Sequence, residues 1–331
     1  MVVIDQRDVQ RKVLAILKVL GTGTAPMGAR TIARRLEAYG VSLTERAVRY
    51  HLQLMDERGL TEQVGRRGRI LTERGHGEIG SALVTDKVGY VLSRIKQLAF
   101  QTTFDPETAQ GDVVMNTTLF RRREFEAALR AMEPAFNAGL CVSDRVGLAG
   151  AGERLGQVVV PEDHIGLSTV CSVTINGVLL KGGIPMDSRF GGILEIQRRK
   201  PLRFVEIIHY SGSSLDPSEA FIRARMTAVD AAARTGAGRV LANFRELPAA
   251  CRPLVSEITH RLRRAGIGGL LLLGEISEPV CQIAVDLNMC GVILLGGLNP
   301  VAAAAEAGLE AEYRAMSTVM PFEHLRDVRT L

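Results

Sequence analysis

Two stretches of the chain carry residue types whose spacing could do chemistry. The first is Thr44-Glu45-Arg46-Ala47-Val48-Arg49-Tyr50-His51-Leu52-Gln53. Arg46, Arg49 and Gln53 fall at i, i+3 and i+7, on the helix face opposite Val48, Leu52 and Met55. Arginine presents a donor fork that fits guanine N7 and O6, and glutamine fits adenine, so this face suits a major groove. Tyr50 sits at its rim. Ser42 and Thr44 precede the helix, where hydroxyls and free N–H groups meet phosphate oxygens. Further on, Gly65-Arg66-Arg67-Gly68-Arg69 places three arginines on a small-residue tip that could reach a phosphate backbone or a minor groove. The alternative for both is a solvated charged surface without a partner. The second stretch runs from Ser168 to Gly192. Ser168, Thr169 and Cys171 lie in an expected strand over Ser168–Ile175, and glycines then flank Lys181 and Arg189. Glycine permits close backbone approach, and N–H groups with two cations could hold a small dicarboxylate. Ser168, Thr169, Cys171, Lys181 and Arg189 are therefore the candidate effector residues. Turn glycines with two ordinary surface cations, and a Cys171 that is a small core residue, are the competing reading.

Signatures of catalysis are missing. The sequence contains no G-x-x-x-x-G-K-[ST], no G-x-S-x-G and no H-E-x-x-H. The six histidines are far apart and the five cysteines include no Cys-x-x-Cys, so neither a metal site nor a disulfide framework is expected. Gly150-Ala151-Gly152-Glu153-Arg154-Leu155-Gly156 looks superficially like a dinucleotide loop. A strand-like run follows it where a helix should open, and no acidic residue stands about 20 positions on. No catalytic residue, cofactor or metal is expected, and the chain reads as non-enzymatic. The alternative is an enzyme acting on a small carboxylate, fused to a DNA-binding domain.

The elements that must position these residues follow from periodicity. Val9, Val13, Ile16, Leu17 and Leu20 form one apolar helix face. A second helix is expected near 28–39 and a third from Thr44, its N-cap, to about Arg58. Runs 60–64 and 69–72 around the arginine tip read as a hairpin, and a fourth helix is expected over 73–85. The order helix, helix, turn, helix, basic hairpin is that of a winged helix-turn-helix. A connecting helix is expected over 86–104. Beyond it, strand-like runs near 113–115, 158–160, 193–196, 204–208, 239–244, 269–274 and 291–295 alternate with helical segments near 248–265, 278–288 and 299–307. That alternation argues for an α/β domain with buried strands. No short-period repeat is visible. The fold class is mixed α/β, with a winged-helix domain over 1–83, a connecting helix and linker over 84–111, and a larger α/β domain over 112–331, to which the resemblance given below assigns effector sensing and dimerisation.

Composition agrees. With 331 residues, 46% hydrophobic and 23% charged, the chain is long enough for two cores and has no apolar run of membrane-spanning length. Residues 1–80 hold 14 Lys and Arg against 9 Asp and Glu, and the rest of the chain is balanced, so the whole net charge of +5 lies in the first quarter. An anionic partner for that quarter alone is the implication. The N-terminus has no signal-peptide pattern and the cysteine usage suits a reducing compartment, so a cytoplasmic location is expected.

The stretches TVCSVTINGVLLKGGIP, SRFGGILEI and VILLGGLNPVAAAAEAGL resemble the regulatory domain of the NrpR-type nitrogen-regulation repressors, and segment 8–80 is similar to that family's winged helix. The resemblance implies a transcriptional repressor of nitrogen-assimilation genes that binds a palindromic double-stranded operator as a homodimer. It also implies 2-oxoglutarate as the effector that weakens operator binding. Some members of that family carry two regulatory domains in tandem, and this sequence has room for one.

Overall fold

The computed structural model describes residues 6–21, 25–36, 42–65, 67–78 and 90–331. Several expectations lie outside these residues: the end of the second helix (37–39), the fourth helix beyond 78, the first part of the connector (84–89), and Arg66. The chain divides into two compact units, Met1–Lys87 and Val88–Leu331.

The first unit runs α1 (Gln6–Gly21), α2 (Ala29–Leu36), α3 (Glu45–Glu57), β1 (Thr61–Gln63) and β2 (Arg69–Leu71), followed by a helical stretch over 73–78. Its core is one cluster in which Ile16, Leu17 and Leu20 of α1 meet Ile32 and Leu36 of α2 and Val48, Leu52 and Met55 of α3. Thr44 caps α3 by accepting from the Ala47 N–H at 3.2 Å. Gly59, at φ +68°, lets the chain leave the helix through the left-handed region. β1 and β2 pair antiparallel with Gln63 opposite Arg69. Gly68 is required by contact as well as by conformation. At φ +122°, a Cβ there would lie 2.3 Å from the Met27 backbone, because Met27 and Arg69 exchange two backbone hydrogen bonds of 3.0 Å. This bond pair anchors the wing to the segment that opens α2.

The second unit is mixed helix and sheet, as expected. Its elements are α4 (Tyr90–Gln101), β3 (Asp112–Arg121), α5 (Phe125–Asn137), β4 (Arg145–Ala149), β5 (Arg154–Leu155), β6 (Val158–Val159) and β7 (His164–Val170). They continue with α6 (Val173–Lys181), β8 (Asp187–Gln197), β9 (Lys200–His209), α7 (Pro217–Arg223), α8 (Val229–Thr235) and β10 (Gly238–Pro248). The last are α9 (Arg252–Arg264), β11 (Leu270–Ile276), β12 (Met289–Leu295), α10 (Asn299–Glu306), β13 (Ala311–Pro321) and β14 (Arg326–Asp327). Two five-stranded sheets have the orders β13-β3-β7-β4-β14 and β11-β12-β10-β8-β9, and their ladders are antiparallel.

The topology contains a repeat that the sequence hides. In one half, β3 crosses through α5 to β4, and β7 returns between the two strands. In the other, β10 crosses through α9 to β11, and β12 returns between them. Each is a split β-α-β unit. Each half then sends its next helix and strand to the other: β8, after α6, pairs with β10, and β13, after α10, pairs with β3. The helices cross over too, α10 packing on α5 and α6 on α9. This exchange gives two mixed cores. One joins Phe120, Met132, Phe190 and Phe244 to Val301 and Ala304; the other joins Met115, Val170 and Leu179 to Val255, Leu262 and Val292.

Three expectations are corrected. The strand expected over Ser168–Ile175 stops at Val170, and α6 starts at Val173; residues 173–179 are buried on every side, so no amphipathic period marks them as helical. The helix expected over 278–288 is an irregular loop: Pro279 interrupts it, and Ser277, Cys281, Gln282 and Asn288 sit at positive φ. The connector is no free-standing linker either. Val91, Ile95, Leu98 and Ala99 of α4 are buried against Val114, Cys171 and Met316 within the second unit.

Candidate nucleic-acid interface and effector pocket

In the first unit the structure brings the predicted base-reading residues onto one exposed face. Arg46, Arg49, Tyr50 and Gln53 are exposed on α3, while Val48, His51, Leu52 and Met55 are buried beneath. Arg49 forms an i,i+4 ion pair with Glu45, whose other oxygen accepts from Arg30 at 3.3 Å. The hydrogen bond from Arg49 holds the Glu45 carboxyl below its usual range, with Arg30 adding to the effect. Glu45 thus pre-orients two arginines at the start of the helix. Arg46 makes no ion pair among the described residues and keeps its fork free. Ser42 and Thr44 are exposed at the N-terminus of α3, although the Thr44 hydroxyl is already engaged as the cap. On the wing, Arg67 is exposed. Arg69 departs from its expected place: its guanidinium turns inward onto Asp56 at 2.7 Å, and Asp56 also accepts from the Thr61 hydroxyl at 2.6 Å. It braces the hairpin against α3.

The second predicted cluster is not assembled. Ser168 is fully buried in β7 and hydrogen-bonds Thr117 at 2.9 Å. Thr169 is buried with its hydroxyl unpartnered. Lys181 ends α6 with its ammonium 4.8 Å from the centre of the exposed Phe100 ring. Arg189 is neutralised on the surface by Asp187, Glu246 and Asp286 at 3.2 to 3.4 Å. Its neighbour Ser188 is the residue that turns inward, since successive strand residues face opposite sides. Of the five, Cys171 lines a small cavity, together with Ser172, Asn243 and Arg245. Burial pushes its thiol up to about 11, so it stays protonated at neutral pH and is no nucleophile.

What sequence reasoning missed is Arg245. It is 1% exposed on β10, the central strand of its sheet. It donates to Ser188 at 2.5 Å and to Ser172 at 3.5 Å, its Nε has no partner, and no carboxylate lies within ion-pair distance among the described residues. Desolvation lowers its proton affinity from arginine's usual value. Beside it, the buried Tyr210 hydroxyl donates to Asn243, and Asn243 donates to Ser172 at 3.2 Å. A faint signal existed: Asn243 and Arg245, two apart, interrupt an otherwise apolar run that belongs in the centre of a sheet. Among the described residues, no group of acidic, histidine or cysteine side chains could hold a metal ion, and no helix is long and apolar enough to cross a membrane.

Comparison with known proteins sorts these two regions. A family model described as NrpR regulatory domains NRD1 and 2 matches residues 88–327, and one described as a ribonuclease R winged-helix domain matches residues 14–79. The chain is 38% identical to the global nitrogen regulator NrpRI of Methanosarcina mazei over 97% of this chain and 99% of that protein. It is 32% identical to the global nitrogen regulator NrpR of Methanocaldococcus jannaschii over 97% of this chain, spanning 56% of that longer protein. The crystal structure of a nitrogen repressor-like protein from Methanococcus jannaschii superposes with a TM-score of 0.61 at 32% identity, covering 72% of this chain and 98% of that one.

Proposed function

The chain belongs to the NrpR family of nitrogen regulators, and from that premise we propose that it represses nitrogen-assimilation genes by binding operator DNA as a homodimer and releasing it when 2-oxoglutarate binds the 88–327 domain. The observation that carries the DNA-binding part is the exposed face of Arg46, Arg49 and Gln53 on a helix that follows a hydroxyl cap and precedes a basic wing. Two copies would meet two half-sites about 34 Å apart.

The effector part is a linkage argument. A ligand changes operator affinity only through a different affinity for the DNA-competent and DNA-incompetent shapes, with a usual coupling of about 1–3 kcal/mol. Binding in the regulatory domain would alter how the two winged helices are presented, through α4 and the segment before it. Fluorescence polarisation with duplexes from the region upstream of the protein's own gene tests this, with molar mass by light scattering on the same sample. The reading predicts a dimer whose sequence-preferring, salt-dependent binding falls about 5- to 150-fold with 2-oxoglutarate. Absence of any sequence-preferring binding, with or without the diacid, would sink it.

A further inference from the structure

The split β-α-β repeat can be followed to single residues where β3 and β10 give way to their crossover helices. Arg121 closes β3 opposite His164 of β7, and Pro248 closes β10 opposite Met289 of β12. Each strand then passes through a three-residue 3-10 turn, Arg122–Glu124 or Ala249–Cys251, into its helix. The same hydrogen bond closes both corners: the Arg122 N–H donates to the Asp163 carbonyl at 2.8 Å, and the Ala249 N–H donates to the Asn288 carbonyl at 2.9 Å. The two accepting residues share a left-handed backbone, at φ +59° and +60°. One corner is therefore built twice on the same backbone.

The side chains on it are not alike. Where the β10 half carries Pro248, Ala249 and Ala250, the β3 half carries Arg121, Arg122 and Arg123. Where the β10 half has Leu287 and Asn288, the β3 half has Glu162 and Asp163. The uncharged corner holds the same backbone, so folding does not demand the charges. In the β3 half these five residues and His164 line an opening of about 620 Å³, within the roughly 300–1,000 Å³ of small-molecule sites. Arg121 and His164 are a directly opposed pair, so both leave the sheet on one face. All three arginines are exposed. Among the described residues, Arg123 meets only its neighbour Glu124, at 3.5 Å, and Arg121, Arg122, Glu162 and Asp163 form no ion pair. Cations and carboxylates that share an opening without closing on one another leave both free for a ligand with phosphate at one end and hydrogen-bond donors at the other. Arginine forks match phosphate oxygens, and carboxylates accept from sugar hydroxyls or a base amino group. A duplex backbone would instead have to lie over two carboxylates, which repel it.

We propose that the β3 corner binds a nucleoside polyphosphate, with its phosphates on Arg121, Arg122 and Arg123 and its sugar hydroxyls or base amino group on Glu162 and Asp163. The site shares no residue with the cavity around Cys171 and Arg245. It stands or falls independently of the operator and 2-oxoglutarate readings.

The test uses the full chain, with isothermal titration and thermal unfolding against ATP, inorganic pyrophosphate and inorganic phosphate at one fixed ionic strength. The wild type is expected to bind ATP more tightly than pyrophosphate, and pyrophosphate more tightly than phosphate, and to melt higher with ATP. The double variant Arg122→Ala/Arg123→Ala gives this corner the two alanines that the β10 half already carries on the same backbone. It is expected to melt like the wild type without ligand, to lose at least about tenfold in ATP affinity and to lose the rise in melting temperature. Should it fail to fold, Arg121→Gln decides, with a several-fold loss expected. Glu162→Ala/Asp163→Asn is expected to weaken ATP several-fold and to leave pyrophosphate bound at least as tightly. No ATP binding by the wild type overturns the proposal, and so does wild-type ATP affinity in both arginine variants. Pyrophosphate bound as tightly as ATP overturns the nucleoside assignment. Duplex affinity lost in Arg122→Ala/Arg123→Ala, with no ATP binding by the wild type, makes the corner a DNA contact and overturns the proposal as well.

Discussion

Arg46 and Arg245 are the same residue type under opposite conditions. Arg46 stands in solvent on α3, in a unit with one small core; Arg245 lies 1% exposed at the seam of a domain with two exchanged cores. A solvated guanidinium costs little to hold and is available to whatever anion diffuses past. A buried one is costly to desolvate and is held here by the hydroxyls of Ser188 and Ser172. The first arrangement suits an extended polyanion such as a duplex, and the second fixes the arginine inside its own domain.

The comparison can be broken most forcefully through packing. Phe244, next to Arg245, is 1% exposed and stacks on Phe190 at 5.1 Å. Phe244→Ala should destabilise the second unit by about 3–5 kcal/mol. Calorimetry should then resolve an earlier transition for that unit while the winged unit melts as before; a single shared transition would mean the two units do not hold their stability separately.

Next in size, Arg46→Ala and Arg49→Ala should each cost about 1–3 kcal/mol of operator affinity and relax sequence preference. Both side chains are exposed, so the melting temperature should stay within the small range usual for surface changes. Competitive polarisation with mutated duplexes reads this; equal losses on every sequence would demote them to phosphate contacts. Arg69→Ala should behave in the reverse way. Its bond to Asp56 is partly buried, so a loss of about 1 kcal/mol in stability is expected with little change in DNA affinity at matched folding. Smallest is Arg67→Ala, which should lower the salt slope of binding by about 1 and leave sequence preference alone.

How much of this could be read from the chain follows the same contrast. The first unit was legible because its helices are amphipathic: Ile16, Leu20, Val48 and Leu52 repeat with the helical period, and Gly59, Gly65 and Gly68 mark where the backbone must turn. Arg69 was misplaced because its partner Asp56 stands 13 positions earlier, on α3, a contact that no local spacing encodes. In the second unit burial erased the signal. Residues 173–179 of α6 are buried all round, and their threonine, valine and isoleucine content reads as strand. The reciprocal exchange of β8 and β13 is long-range pairing that no local pattern encodes. Arg245 was hidden because a charge in a central strand looks like the end of that strand. Lys181 and Arg189 drew attention because glycines flank them, yet each is held at the surface, by Phe100 and by three carboxylates respectively.

One titration bears most directly on the division of labour between the two units. Polarisation of a labelled upstream duplex by the full chain, repeated with saturating 2-oxoglutarate and for Arg46→Ala, should give tight binding to the duplex alone, weaker binding with the diacid, and weaker, less selective binding for the variant. If the variant binds like the wild type and the diacid leaves the curve where it was, the exposed arginine face is not the reader and the larger unit does not control it.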